Sequence, residues 1–239
     1  MTKYISDIDE VLTTTRTVRL RLDFSREVES EVVVECLAMA QQASVGSNQE
    51  YWRFVLVSDN DQKSKVAKLY REVWNETVEG PLERGEAATV TRLSPDARGT
   101  TREQERQARI LRGVKYLVDH LELVPIIMVA CSCAPTPRRP LGGAASGYYG
   151  SIFPFVWSFQ LALRSRGIGS VLATAIVHRA DELKEILELP AAFVPITMVP
   201  LAYTKGTNFK PAFRRPLDEI FRWDRWTTQL DECHDTFGN

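Results

Sequence analysis

Apolar positions along the chain follow two rhythms. In Ser30 to Ala43 the residues Val33, Cys36, Leu37 and Ala40 recur at helical spacing, with Ser30 placed to cap the start. Asp59 to Val78 repeats the pattern with Val66, Leu69, Tyr70 and Val73 on one face, and Ile8 to Thr14 reads as a shorter helix. Three runs are continuous rather than periodic: Trp52 to Val57, Val124 to Ala130 and Phe193 to Tyr203. Their β-branched and aromatic content predicts buried strands. Tyr148 to Arg166 is long and apolar, with Phe155, Phe159 and Leu163 at four-residue spacing, and Gly167 stands where a helix C-cap is expected. Ser170 to Thr174 reads as a short strand, Ile110 to Leu121 as a helix, and Asp181 to Leu189 as a helix stopped by Pro190.

Three stretches interrupt this pattern. Glu79 to Arg109 is rich in Glu, Arg, Thr and Gly and has no aromatic residue, so it is expected to be a mobile lid or insertion over the remaining structure. Pro135 to Gly147 and Lys205 to Pro216 read as loops, the second basic and followed by the aromatic tail IFRWDRW. Strands scattered among longer helices, without βαβ alternation, predict an α+β fold with a central sheet surrounded by helices. No repeat or linker divides residues 1–239, so a single domain is expected, with an arm at about 205–239.

Composition narrows the function classes. Thirty basic against 31 acidic residues leave a net charge of −1, which gives no reason to expect nucleic acid or an anionic membrane as partner. The longest apolar stretches, Leu123 to Ala134 and Ala191 to Tyr203, contain proline and are short for a bilayer, and MTKYISDIDE lacks the basic start of a signal peptide, so a soluble cytoplasmic protein is expected. Cys36, Cys131, Cys133 and Cys233 form no CxxC pair and read as free thiols of a reducing compartment. With His120, His178 and His234 scattered, no metal site is expected. Gly167-Ile168-Gly169 is not a dinucleotide fingerprint, which would need glycine at Leu172, and no phosphate loop, GxSxG elbow or HExxH is present.

Three separated segments offer binding chemistry. Thr14-Thr15-Arg16-Thr17-Val18-Arg19 places two permanent cations around a hydroxyl, a trio suited to phosphate. Ala43 to Asn48 leaves a helix through Gly46, where backbone can approach a ligand, and Asn48 offers both donor and acceptor. Gly167 to Thr174 follows the long apolar helix. In order and spacing these segments resemble the FMN-dependent nitroreductases. Arg16-Thr17-Val18-Arg19 is similar to that family's R-S-x-R/K element, and Ala43 to Trp52 to its A-P-S/T-G-x-N-x-Q-x-W. Gly167-Ile168-Gly169-Ser170 is similar to G-L-G-S/T, and Lys210 to Ile220 to the closing K/R-P-x-x-R-x-P-L-x-E-V. Ala202 to Thr207, continuing to Ala212, is similar to actinobacterial members. The chain departs from the pattern at Ser44, Val45, Glu50, Leu172 and Phe213.

The resemblance implies a central mixed sheet within an intertwined homodimer, with FMN at the interface. It implies that Arg16, Thr17 and Arg19 hold the phosphate and the pyrimidine edge, in an order left open, with Arg214 also on the phosphate. Ser44, Val45, Gly46 and Asn48 would come from the other subunit. Leu172, Ala173 and Thr174 would lie beside the flavin, Thr174 near N5. No side chain is then required as acid or base, because the cofactor carries the chemistry. The implied activity is ping-pong hydride transfer from NAD(P)H to a nitroaromatic, quinone or similar planar acceptor. The alternatives are an FMN storage protein, a reductive dehalogenase and a flavin-degrading enzyme.

Overall fold

The computed structural model describes residues 7–85, 101–139, 142–214 and 216–226. Within them the helices are α1 (Ile8–Thr14), α2 (Ser30–Ala40), α3 (Asn60–Trp74), α4 (Gly80–Glu83), α5 (Thr101–His120), α6 (Gly143–Ser165), α7 (Ala180–Ile186) and α8 (Leu217–Ile220). The strands are β1 (Trp52–Val57), β2 (Ile126–Ser132), β3 (Ile168–Ser170) and β4 (Val194–Tyr203). They form one sheet in the order β1-β2-β4-β3.

All three ladders of that sheet are antiparallel, and the mixed character implied by the resemblance reduces to one isolated parallel bridge, Thr17 to Ser170. β2 is buried along its whole length because both of its faces are covered. Ile127, Val129 and Cys131 point to one core with Val66, Leu69 and Tyr70 of α3, Leu117 and Val118 of α5 and Leu183 of α7. Ile126, Met128 and Ala130 point to the other, against Val33 and Cys36 of α2 and Phe155, Phe159 and Leu163 of α6. The two-residue alternation of a strand thus divides a continuous apolar run between two helical layers. Burial of a Phe or Leu side chain contributes roughly 1.5–3 kcal/mol, so these layers supply the main folding drive.

Several expected boundaries shift. α2 starts at Ser30, but its N-cap is Glu29, without a side-chain capping bond. β1 is an edge strand in which only Trp52 and Val57 are fully buried. α6 begins before Tyr148, at Gly143, and its Pro154 is accommodated inside the helix. Gly167 follows the C-cap Arg166 with a left-handed φ of 76°.

The largest correction concerns the polar stretch. Residues Gly80–Glu83 are helical, and Thr101–His120 is one helix that includes the polar residues up to Arg109. Gln, Glu, Arg and Ala are good helix formers, so polarity there marks a solvated helix face rather than loop. The centre of the expected lid, residues 86–100, lies outside the described residues, as do 227–239 of the expected arm. Among the described residues no helix is long and apolar enough to cross a membrane.

Candidate functional site

The N-terminal arginine segment is held on the far edge of the sheet. Val18 donates its backbone N–H to the Ser170 carbonyl at 3.0 Å, and its side chain enters the core. Gly169 makes this approach possible. A methyl group built there would lie 2.6 Å from Thr204 Cγ2, 3.0 Å from Val18 Cβ and 3.2 Å from Leu22 Cδ2. Ser170 is fixed from the other side by Gln160 of α6, whose Nε2 donates to its hydroxyl at 3.0 Å.

Beyond β3 the chain stays extended as far as Ala173, and it turns into a helical segment at Thr174. Ala173 exchanges backbone hydrogen bonds with Met198, so Val171 and Ala173 are buried while Leu172 and Thr174 face outward. These residues, Val171 to Ala175, form one wall of a cleft of about 90 Å³. Arg19, Tyr70, Trp74, Thr77, Val78 and Val114 form the rest. Arg19 reaches it across α5 at Gly113, where a side chain would meet the arginine's Cδ at 3.6 Å.

The electrostatics of this cleft are unbalanced. Arg19 Nε, Arg16 Nε and Arg16 Nη2 are buried and have no hydrogen-bond partner. Each such N–H costs about 1–3 kcal/mol of unreturned desolvation. Burial pushes the Arg19 guanidinium below its ordinary value, while the Tyr70 hydroxyl beside it acts in the opposite direction. Burial likewise raises Tyr70, and Arg19 counters it. Partly desolvated cations with open donors, next to a flat apolar wall, make a site for an anion joined to a planar group. The wall over Thr77 and Val78 is the π-helical segment Asn75–Glu79, a local irregularity of the kind that recurs at functional sites.

The second segment lies elsewhere. Val45 and Ala43 pack against the α2 and α6 core, on the opposite face of the sheet from Val18 and Ala173. Gly46 donates its N–H to Ser151 Oγ of α6 at 3.2 Å, while Ser44 and Asn48 are exposed. Ser47 and Asn48 both adopt left-handed φ values of 53°, a conformation Asn tolerates better than Ser. This turn borders a separate cleft of about 230 Å³ with Tyr51, Ser132, Pro135 and Tyr148.

The fold therefore gathers Arg19, Leu172, Ala173 and Thr174 in one cleft, with Arg16 and Thr17 on the same edge segment. It does not bring Ser44, Val45, Gly46 or Asn48 to them within a single chain. Arg214 also sits outside the cleft, exposed, with Nη1 donating to the Phe213 carbonyl at 3.1 Å. Glu50 is exposed, and its carbonyl accepts from Arg53. Cys36 and Cys131 are buried free thiols, Cys133 is half-buried, and Cys233 lies outside the described residues. Phe155 and Phe159 are core, while Trp157, Trp223 and Trp226 are exposed on this chain.

Sequence reasoning missed Tyr70 as a wall of the cleft, because helical spacing marks it only as core. It also missed Arg164, a buried arginine near the end of α6. A charge within an otherwise apolar helix was the signal available for it.

The same fold recurs in known proteins. The model of the Nitroreductase family matches residues 12–203. Human iodotyrosine deiodinase 1 is 26% identical over 228 residues, covering 92% of this chain and 69% of that protein. The structure of oxidised iodotyrosine deiodinase bound to FMN and 3-iodo-L-tyrosine superposes with a TM-score of 0.66 at 20% identity, covering 92% of this chain and all of the other. A BluB-like flavoprotein from Clostridium difficile 630 gives a TM-score of 0.66 at 17% identity, with 92% and 100% covered. A nitroreductase-like protein from Bacillus cereus gives 0.60 at 19% identity, with 93% and 97% covered.

Proposed function

The chain belongs to the nitroreductase family, and from that premise we propose that it is an FMN-dependent oxidoreductase whose cofactor is held by Arg16, Thr17 and Arg19. The observation that carries this reading is the set of unpaired, buried guanidinium nitrogens on Arg16 and Arg19, aligned along the edge that ends in the Leu172 to Thr174 wall. These residues fit a flavin mononucleotide: donors for a phosphate, a fixed cation, and a flat cleft between apolar side chains.

The structure also supports an order for the two arginines that spacing left open. Arg19 lines the flat cleft, so it is assigned to the pyrimidine edge, and Arg16 to the phosphate. A guanidinium at the pyrimidine edge stabilises the negative charge that gathers there on reduction. Thr174 offers an exposed hydroxyl on the wall of the same cleft. Tyr70, Trp74 and Val78 close its inner side against water. When bound, FMN supplies the hydride chemistry, accepting from NAD(P)H and delivering to a planar acceptor such as a nitroaromatic or quinone.

The site is proposed to be completed by a second copy of the chain, which contributes Ser44, Val45, Gly46 and Asn48, with Arg214 added to the phosphate. Exposed apolar residues support this. Val34 and Met39 on α2, Tyr149 and Trp157 on α6, and Phe213, Trp223 and Trp226 in the tail are the surface a partner would cover. Residues 79–109 are proposed to limit acceptor size.

A second reading, reductive dehalogenation of a halogenated phenol, is favoured by the similarity to iodotyrosine deiodinase over 92% of the chain. One experiment separates these readings. The protein purified with FMN is reduced anaerobically with NADH or NADPH, then exposed in turn to a nitroaromatic, a quinone and an iodophenol. Bleaching within seconds, followed by reoxidation with the first two, supports the first reading. Reduction by dithionite alone, with halide release from the iodophenol, supports the second. A protein that is reduced by dithionite but turns over none of these acceptors would indicate flavin storage, and failure to bind FMN would overturn all three.

A further inference from the structure

Two arginines near the end of α6 are treated differently by the fold. Arg166 is buried with Nη1 donating to the Ala162 carbonyl at 3.2 Å and Nη2 lying 3.5 Å from Glu35 Oε2. Arg164 is only 3% exposed, yet among the described residues no carboxylate lies within ion-pair distance of it. Its Nη2 donates to Thr14 Oγ1 and to the Thr207 carbonyl, both at 3.1 Å, while Nε and Nη1 are buried without any partner.

Arg164 stands in a basic cluster. Thr14, which accepts from it, is two residues from Arg16, whose Nε and Nη2 are also buried and unpartnered. The guanidinium carbons of Arg21 and Arg164 lie 4.0 and 4.7 Å from the centroid of the Phe209 ring. Arg21 spends its donors on the carbonyls of Lys205 and Asn208 and is structurally satisfied. Arg164 is not. Burial pushes its guanidinium below the ordinary value, Glu10 opposes this, and the positive charges of Arg21 and Arg16 push it further down.

Buried like charges with open donors destabilise the fold that contains them, and a bound dianion relieves both penalties at once. A purely structural arginine would have been satisfied, as Arg21 is, with Nε, Nη1 and Nη2 all donating to backbone carbonyls. We propose that Arg164 is a positioning residue of the phosphate site, a buried second cation behind Arg16 that makes the site select FMN over riboflavin. This rests on the FMN reading above and adds a residue that the sequence motifs do not include.

The test compares wild type with Arg164→Met, measuring FMN and riboflavin affinity by flavin fluorescence and the thermal shift caused by inorganic phosphate in flavin-free protein. The expected result is FMN binding weakened about 10–100-fold, as for loss of a charge-assisted interaction, with riboflavin binding changed less than about 2-fold. The phosphate-induced thermal shift should disappear, and the flavin-free variant should melt no lower than wild type. Arg164→Lys should recover part of the FMN preference. If Arg164→Met does not fold, Arg164→Gln, which keeps a donor and loses the charge, gives the same ratio. Equal losses for FMN and riboflavin would mark Arg164 as structural and overturn the proposal, as would unchanged FMN affinity. Should wild type bind neither flavin, the FMN reading fails by itself. The phosphate arm then decides: a shift lost in Arg164→Met supports the anion site, and no shift in wild type overturns it.

Discussion

Val18 gives its backbone N–H to the carbonyl of Ser170 at 3.0 Å, and this bond sets where the two flanking arginines stand. It fixes the segment from Thr14 to Arg19 against β3, next to the wall that ends at Thr174. Because Gly169 is what lets Val18 and Thr204 come so close, Gly169→Ala should damage the fold and the cofactor site together. The added methyl would lie 2.6 Å from Thr204 Cγ2, so a cost of about 1–3 kcal/mol is expected, as for other overpacked sites. Denaturant unfolding would measure it, with flavin content as the second readout. A variant of wild-type stability that retained full flavin would show that the edge can relax without moving Arg16 and Arg19.

Arg19 and Arg214 should separate by what they do to a bound flavin. Arg19→Met removes a cation from the cleft, so FMN should bind about 10–100-fold more weakly. Its preference for the reduced form should also fall, with a two-electron potential lower by about 30–60 mV if the charge contributes ~1.4–2.8 kcal/mol to that form. Arg214→Ala should weaken FMN by a similar factor while leaving the potential and riboflavin binding unchanged, since it is assigned to the phosphate. Titration and spectroelectrochemistry of both variants check this.

Tyr203 and Glu29 give a pH-dependent prediction. The Tyr203 hydroxyl donates to Glu29 Oε2 at 2.7 Å, and that bond is the main cause holding the Glu29 carboxyl below its usual range. A carboxylate depressed in the folded state contributes stability that is present above its unfolded pKa and is lost as pH falls through the folded one. Tyr203→Phe should therefore cost about 0.5–1 kcal/mol at neutral pH, a small figure because Glu29 is open to solvent. The difference from wild type should shrink on acidification below the ordinary glutamate range. Urea melts from pH 7 down to pH 3 would show it, and a constant difference would place the effect in packing against Arg26, whose guanidinium lies 3.3 Å from the ring centroid.

Thiol reactivity follows from burial. Desolvation is the main cause raising Cys36, to about 11, with Arg166 opposing it and Glu35 adding to it. Desolvation alone pushes Cys131 to about 12. At pH 8 their thiolate fractions are then on the order of 10⁻³ and 10⁻⁴. Native protein treated with iodoacetamide should leave both unlabelled, whereas the half-buried Cys133 reacts, as peptide mapping would reveal. Rapid labelling of Cys131 in the native state would contradict its place inside β2.

Much of the architecture was legible in the chain. The three apolar runs became β1, β2 and β4, and the periodic face Val66, Leu69, Tyr70 and Val73 became the buried side of α3. These succeed because alternation and helical spacing are local consequences of backbone geometry. Thr101 to Arg109 failed because a solvated helix and a polar loop share a composition, and only the helix continuing to His120 distinguishes them. The arginine segment and the Gly167 motif pointed to a site only through their joint resemblance to nitroreductase motifs, since an Arg-x-x-Arg alone is also common on a solvated helix end.

Tertiary structure decided the rest. That Val18 meets Ser170, that Arg19 shares a cleft with Tyr70, and that Arg164 lies buried beside Thr14 are contacts between residues distant in sequence. So is the separation of Ser44 to Asn48 onto the other face of the sheet. Periodicity tells each residue which side of its own element it occupies. Which element will cover that side, and whether a buried charge there finds a partner, is set only when the layers pack.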